Sequence, residues 1–538
     1  MVAFRIQTSP SQALIPCYVS ADRTSTSMSL FETTALLLIL GLATFDLWVG
    51  VANDAVNFLN SAFGSRVARR RVIMTIATVG ILLGAFTSSG LMEVARRGVF
   101  DPSFFVNDQG TVILTSILAL YLGVMAADVL LLDLFNTFGL PTSTTVSIVS
   151  ELVGASIAVA FWTGAGGLGG ALDVINTGPV LGIYSAIFLS VITAFLSAAV
   201  VMFLVRVLYG FDLETSFRRW GWLWTGASFA AMTYFVVYKG LQGAALLGEE
   251  TMSVLRDRIG LILAGVFVLS GGLAVVFRRR PTKVIAAIVL TGTGALSMAF
   301  AGNDLVNFIG PSVAAFQAVL VDGIDLSGRV ATPPWALLLA GVIMTAALIR
   351  SRKARSVTDT EIRLAAQAHT RQRFRTSLLG SAVATMGHAG LRVARRLTPS
   401  GVRARVEGRT APPPLDPSDP PYDLLRASVN LTVAALLISI GTANRLPLST
   451  TYITFMAAMG ASLGDRTWSA TDAGQRVTGI LVVLGGWLLT GFIAAGGAFA
   501  MASLIVLTGT AGLPLVAILV GVGVWRLGRV RRPEPEHG

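Results

Sequence analysis

The sequence predicts an all-α integral membrane protein, with about 12–13 transmembrane or re-entrant segments arranged as two inverted-topology repeats. Three observations carry that expectation. The 538 residues are 54% hydrophobic and only 13% charged, with mean hydropathy +0.72, too little charge to cover a soluble domain of this size. The apolar residues gather into runs of about 20, enough to span a roughly 30 Å hydrocarbon core. Two different polar motifs each occur twice, in the same order.

Thirteen apolar segments stand at roughly 32–52, 72–90, 111–135, 143–163, 179–209, 220–248, 259–277, 284–309, 334–350, 424–443, 447–465, 478–507 and 511–527. Basic residues recur on one side of them: Arg66 with Arg69–Arg71, Arg218–Arg219, Arg278–Arg280 with Lys283, and Arg526 to Arg532. The alternate loops are mostly poor in Lys and Arg: 164–178 has none and 310–333 only Arg329, while Lys239, Arg256 and Arg258 make a mild exception. The positive-inside rule then places the N-terminus outside and the C-terminus inside a plasma (cytoplasmic) membrane.

The net charge of +12 is concentrated in one segment, because residues 350–409 hold 14 Lys or Arg against Asp359, Glu361 and Glu407. That reads as a basic cytoplasmic loop rather than a nucleic-acid surface, and no nucleic-acid partner is expected. Within it, Thr358 to Arg375 is expected to form a basic amphipathic helix on the membrane surface, and residues 358–409 are expected to be dispensable for transport. Residues 411–421, APPPLDPSDPP, form a proline-rich spacer that cannot be helical. The domain reading is therefore a polar tail at 1–28, a first repeat with connecting helices at 29–277, and the start of a second repeat at 278–350. The basic loop and spacer follow at 351–423, then the rest of the second repeat at 424–527 and a cytoplasmic tail at 528–538. The tail at 1–28 lacks a signal-peptide apolar core, and Met28 could equally be the true start. A lone Cys17 excludes an intramolecular disulfide, and the scattered His369, His388 and His537 cannot assemble a zinc site. No cofactor is expected.

The first paired motif is Asn53-Asp54-Ala55-Val56-Asn57-Phe58 and Asn303-Asp304-Leu305-Val306-Asn307-Phe308. The second is Leu140-Pro141-Thr142-Ser143-Thr144-Thr145 and Leu446-Pro447-Leu448-Ser449-Thr450-Thr451, each followed at the same spacing by Gly-Ala-Ser at Gly154–Ser156 and Gly460–Ser462. Between the halves each motif shifts by seven segments, and an odd shift reverses direction across the membrane. That is the pattern of inverted repeats, whose site lies at the midplane between the halves.

An Asn-Asp pair inside an apolar helix is expensive to bury and marks a pathway or site. Asn53, Asn57 and Asn60 fall on one helical stripe with Asp54 at its edge, and Gly310 replaces the third Asn in the second copy. Helix–helix glue through amide hydrogen bonds is the bland alternative. The Pro-x-Ser-Thr-Thr motif reads as a helix start, whose N–H groups and positive dipole end suit an anion; an ordinary capped helix is the alternative. Together the motifs describe a site for an oxyanion and a cation. Asn53, Asp54, Ser143, Thr144, Thr145, Asn303, Asp304, Ser449, Thr450 and Thr451 are the candidate substrate ligands. Asp54, Asp304, Asn57 and Asn307 are candidates to hold sodium. Glu151, without an acidic counterpart at Ala457, is a candidate further cation ligand or proton carrier.

These residues, above all Gly50-Val51-Ala52-Asn53-Asp54-Ala55-Val56-Asn57, its repeat and the paired Pro-x-Ser-Thr-Thr motifs, resemble the inorganic phosphate transporter (PiT) family. The resemblance covers most of residues 29–527 apart from the basic loop. It implies a sodium- or proton-coupled phosphate symporter in the lipid bilayer, with phosphate held by the motifs of both halves. The family often has Gly-Ala-Asn-Asp where Val51-Ala52-Asn53-Asp54 and Ala301-Gly302-Asn303-Asp304 stand here. It also often has a histidine where Val146 and Tyr452 follow the hydroxyl motifs. A sulfate permease of the same fold is the nearest alternative, a headgroup-processing enzyme a more distant one that lacks a nucleophile–base pair near the motifs. A homo-oligomer is left open.

Overall fold

A computed structural model describes residues 28–88, 98–105, 113–164, 167–236, 253–255, 257–320, 332, 334–367, 376–397, 399–411, 419–444, 446, 448–466, 468 and 473–530. The polar tail at 1–27 with Cys17, residues 412–418 of the proline-rich spacer, the tail at 531–538, Pro447, His369 and His537 lie outside the described residues.

All named elements among the described residues are helical, and Phe100 and Ile175 form one isolated bridge. The helices are α1 (Leu30–Asp54), α2 (Val56–Gly64), α3 (Arg70–Thr87), α4 (Leu114–Phe138), α5 (Thr144–Thr163), the short α6 (Gly167–Leu172), α7 (Thr177–Tyr209), α8 (Leu213–Phe235) and α9 (Ile259–Val276). They continue with α10 (Pro281–Leu320), α11 (Pro334–Arg350), α12 (Lys353–Ala365), α13 (Leu378–Leu397), α14 (Ser400–Thr410), α15 (Leu424–Ala443), α16 (Thr450–Gly464), α17 (Ala473–Thr508) and α18 (Gly512–Arg529). Over its described residues, each of the thirteen apolar segments lies largely within a helix. Among the described residues nine spans are long and apolar enough to cross a membrane, or ten if the bent pair α11–α12 is one span. The difference from the expected number has physical causes. Only 15 residues form α16, α17 and α18 are counted as one stretch, and α8 is too polar.

Local chemistry sets the helix ends that matter. Ser29 and Glu32 form a capping box that starts α1, satisfying two otherwise orphaned N–H groups. Gly139 adopts φ 64° and ends α4, a left-handed conformation that a side chain would strain. The chain is thus turned out of α4 just ahead of Pro141, and the first hydroxyl motif can start a new helix.

The halves interlock by exchange. Helix α5, which follows the first hydroxyl motif, packs on α17, and α16, which follows the second, packs on α7. Helix α1 packs on α4, and α10 packs on α15 in the same way. The repeated Gly-Ala-Ser explains how the first contacts come so close. A Cβ on Gly154 would lie 1.9 Å from the Ala495 carbonyl oxygen, and one on Gly460 2.1 Å from that of Phe195. Small residues that let backbones meet are how helices associate without a hydrophobic drive in lipid. Gly154→Ala and Gly460→Ala should each cost about 1–3 kcal/mol, because the opposing atom is rigid backbone. Thermal unfolding in detergent measures it; unchanged melting in both variants would refute the close packing.

Near the Arg66 end of the bundle, Asp465 gathers a buried ionic network. Arg206 Nε reaches Asp465 Oδ1 at 2.5 Å and Arg206 NH2 reaches Asp423 Oδ2 at 2.8 Å. Arg426 Nε bonds Asp465 Oδ2 at 2.8 Å and Gln367 Nε2 the same atom at 2.7 Å. Burial pushes the Asp423 carboxyl up, but the Arg206 and Arg426 guanidinium groups outweigh it and hold it below the usual carboxylate range.

The start of the basic segment departs from its expected place. Of the surface amphipathic helix expected over Thr358 to Arg375, residues 368–375 lie outside the described residues, and the start belongs to α12, Lys353–Ala365, bent 68° from α11 and packed against α1, α2, α4, α16 and α17. Ala354, Val357, Ile362 and Leu364 are buried with Thr358, Thr360 and Glu361. Its many charges hide a short apolar face at helical spacing, which average composition does not reveal. Deleting 358–409 would cut into this helix, so dispensability can hold only for the later part, where α13 packs on α17 and exposes Leu378, Leu379 and Met386.

Candidate functional site

Both hydroxyl motifs begin helices in the same way. Ser143 and Ser449 are extended, at φ −105°, ψ 116° and φ −93°, ψ 114°. Each Oγ accepts the N–H three residues on, from Val146 and from Tyr452, at 3.2 Å. The two serines are therefore N-caps.

The threonines behind them face the acids. Thr144 Oγ1 donates to Asp54 Oδ2 at 3.3 Å and Thr450 Oγ1 to Asp304 Oδ2 at 2.7 Å, each pair lying within one half. Other bonds cross between halves. Thr451 Oγ1 donates to Asp54 Oδ1 at 3.0 Å, and Asn57 Nδ2 to Thr451 Oγ1 at 3.0 Å. Reciprocally, Asn307 Nδ2 donates to Thr144 and Thr145 Oγ1 at 3.4 and 3.3 Å. Asp54 and Asp304 are 0% and 2% exposed. Two helix N-termini, with partial positive charge, thus converge on two buried carboxyls, so donors and acceptors share one place.

Asn53 has a different task from its neighbours. Its Oδ1 accepts the Thr142 N–H at 2.9 Å, and its Nδ2 reaches Leu140 O at 3.2 Å and Asn136 Oδ1 at 3.0 Å. Asn53 therefore seats the loop that carries the first hydroxyl motif. In the second half Asn303 Oδ1 has no hydrogen-bond partner among the described residues. The two copies also differ in access: Asn53 and Asn57 are buried, whereas Asn303, Asn307 and Thr145 are partly exposed. Trp487 ties the motifs together, donating to Pro141 O at 3.0 Å and stacking on Tyr452 with ring centroids 3.7 Å apart.

Glu151 is fully buried, with the Asp128 carboxyl within hydrogen-bonding reach. It does not stand alone. Asp128 neighbours both Glu151 and Asp46, and all three are 0% exposed. Ser147 donates to Asp128 Oδ1 at 2.9 Å. Asp46 and Asp128 were missed in the sequence although their signal, an acid within an apolar run, was the one that marked Glu151. Asn136, Glu361 and Trp487 carry no such signal: they matter through what they touch. Among the described residues no group of three or more His, Cys, Asp or Glu is arranged to hold a metal ion. A cation at Asp54 and Asp304 would draw its other ligands from hydroxyl, amide and backbone oxygens.

A helical membrane bundle whose paired motifs meet in a buried polar site defines a multi-pass membrane transporter. The particular kind is given by kinship: the model of the Phosphate transporter family matches residues 50–349, and the chain belongs to that family. It is a phosphate-transporting membrane protein and not an enzyme. A Pyrococcus furiosus protein named "putative phosphate permease" is 30% identical over 319 residues, 57% of this chain and 71% of that one. One of the same name from Pyrococcus abyssi is 29% identical over 315 residues, 57% and 72% of the two chains. The solved structure titled "The sodium-dependent phosphate transporter" superposes with TM-score 0.60 at 16% identity, covering 88% of this chain and 100% of its own. At that identity the likeness speaks for the fold.

Proposed function

We propose that this protein is a secondary active transporter that imports inorganic phosphate by symport with sodium or protons across the cytoplasmic membrane, N-terminus outside and C-terminus inside. The observation that carries the reading is the crossing of the halves at Asp54, which accepts from Thr144 of one helix start and Thr451 of the other. Phosphate would lie between these helix starts. Their N–H groups and the Ser143, Thr144, Thr145, Ser449, Thr450 and Thr451 hydroxyls would donate to its oxygens. Asp54 and Asp304 would hold the cation, with Asn57 and Asn307, or accept a proton from the anion. The reciprocal packing of α5 on α17 and α16 on α7 supports the inverted-repeat reading. A solved neighbour whose title names sodium dependence supports cation coupling.

Coupling also follows from energy. A divalent anion entering against about 100 mV costs roughly 4.6 kcal/mol, so at least about two cations must accompany it for charge movement not to oppose uptake. Family membership favours phosphate over sulfate, and so does the chemistry, since phosphate can donate a proton to Asp54 or Asp304 and sulfate cannot. Equilibrium binding of radiolabelled phosphate to the purified protein tests the site; displacement by sulfate at equal concentration would contradict it.

Asp46, Asp128 and Glu151 extend this reading, because three carboxyls in an apolar bundle are too costly to leave ionised without cations or protons. Glu151→Gln should lower the steepness of uptake with cation concentration by about one cation, as expected for the loss of one carboxyl. An unchanged dependence on both sodium and protons would remove Glu151 from the coupling scheme.

A further inference from the structure

The polar stripe of α1 and α2 does not end at the site. Asn60 lies one turn beyond Asn57 and about 9 Å along the helix from Asp54, at 1.5 Å per residue. Its Nδ2 donates to Oε1 of Glu361, a residue of the bent helix α12. Tyr422 OH closes the other side, donating to Asn60 O at 2.6 Å. Glu361 is 1% exposed, and its Oε2 is buried with no hydrogen-bond partner among the described residues. The other half has no equivalent, since Gly310 stands where Asn60 would repeat. This end of the path is sealed, while the Asn303 and Asn307 copy is partly exposed.

A buried carboxyl with one bonded and one orphaned oxygen is costly as an anion and far less so as a neutral acid. A metal ion fits poorly, since hard cations take about six oxygen ligands, and no metal-holding cluster exists among the described residues. The surrounding charges are already engaged. Asp133 of α4 pairs with Lys353 of α12 at 2.5 Å, and Asp465 at the end of α16 with Arg206 and Arg426. Arg476 of α17 donates to Leu364 O at 3.1 Å, and Arg426 of α15 to Ala365 O. On α1, Asp54 accepts from threonines. On α12 itself Asp359 interacts with Arg355 and Arg363 and, on α3, with Arg70. Tyr422 is the remaining titratable neighbour.

We propose that Glu361 is the protonatable catch of this end of the substrate path. With its proton it bonds Asn60 and the end is shut. When water enters, the proton passes from Oε2 to that water, and the carboxylate is stable only while the end stays open; reclosing takes a proton back from the same side. The bend between α11 and α12 is where the helix would swing. This rests on the transport reading, but it has a readout that does not need transport.

Ser61 is buried beside Asn60. In a Cys17→Ser background, the labelling rate of Ser61→Cys by a membrane-impermeant thiol reagent reports opening. The ratio of rates with Glu361 and with Glu361→Gln cancels the thiol's own titration. That ratio should be near one at low pH and rise by up to about tenfold per pH unit above, the limit for one released proton. Asn60→Ala, which keeps the carboxyl, should keep the pH dependence. A ratio flat with pH, or dependence lost in Asn60→Ala, would overturn the proposal. Phosphate exchange by wild-type proteoliposomes is run alongside. A rising ratio without any exchange would leave the catch standing and sink the phosphate reading instead.

Discussion

Asp54→Asn should abolish phosphate uptake while leaving a folded, membrane-inserted protein. Asp54 is the atom-level meeting point of the halves, accepting from Thr144 at 3.3 Å and from Thr451 at 3.0 Å. Asparagine keeps its size and one acceptor oxygen, so both helix starts can stay where they are. What it loses is the negative charge that attracts a cation or takes a proton. Without that charge the cation or proton that accompanies phosphate has no carboxylate here to hold it, so concentrative uptake should be lost. Asp304→Asn should do the same through Thr450, at 2.7 Å. Uptake within about twofold of wild type in either variant would remove that carboxyl from the mechanism.

The second large effect separates the serines from the threonines. If the threonine hydroxyls donate to a desolvated anion, Thr144→Ala and Thr450→Ala should each weaken phosphate affinity by roughly 10- to 150-fold. Ser143 and Ser449 hold helix N–H groups at 3.2 Å, so Ser→Ala there should cost about 1 kcal/mol of folding stability as well. Affinity and thermal stability measured side by side on the four variants resolve the roles. Threonine variants that lose stability but keep affinity would make the hydroxyls helix-finishing groups only, and the site would then rest on the Asn-Asp motifs.

Much of this was legible in the residues. Over their described residues the apolar runs are largely helical, because spans of that length have few alternatives in lipid, where every backbone group must be satisfied internally. The doubled motifs announced a common site because buried Asn, Asp, Ser and Thr are costly wherever they lack partners. What stayed hidden depends on contact. Asn53, a candidate ligand by its motif, also holds the Leu140–Thr142 loop. Helix α12 looks like basic loop, because its five apolar residues are matched by five charged ones in a strongly basic segment. Trp487 reads as one more aromatic in an apolar run until it is seen spanning Pro141 and Tyr452.

The most direct measurement is radiolabelled phosphate uptake into proteoliposomes holding the purified full-length protein, with sodium and proton gradients imposed separately. The account predicts concentrative phosphate accumulation with at least one inward cation gradient, little without either, and none in Asp54→Asn. Uptake that only equilibrates phosphate whatever gradient is imposed would contradict it, as would accumulation that persists in Asp54→Asn and Asp304→Asn.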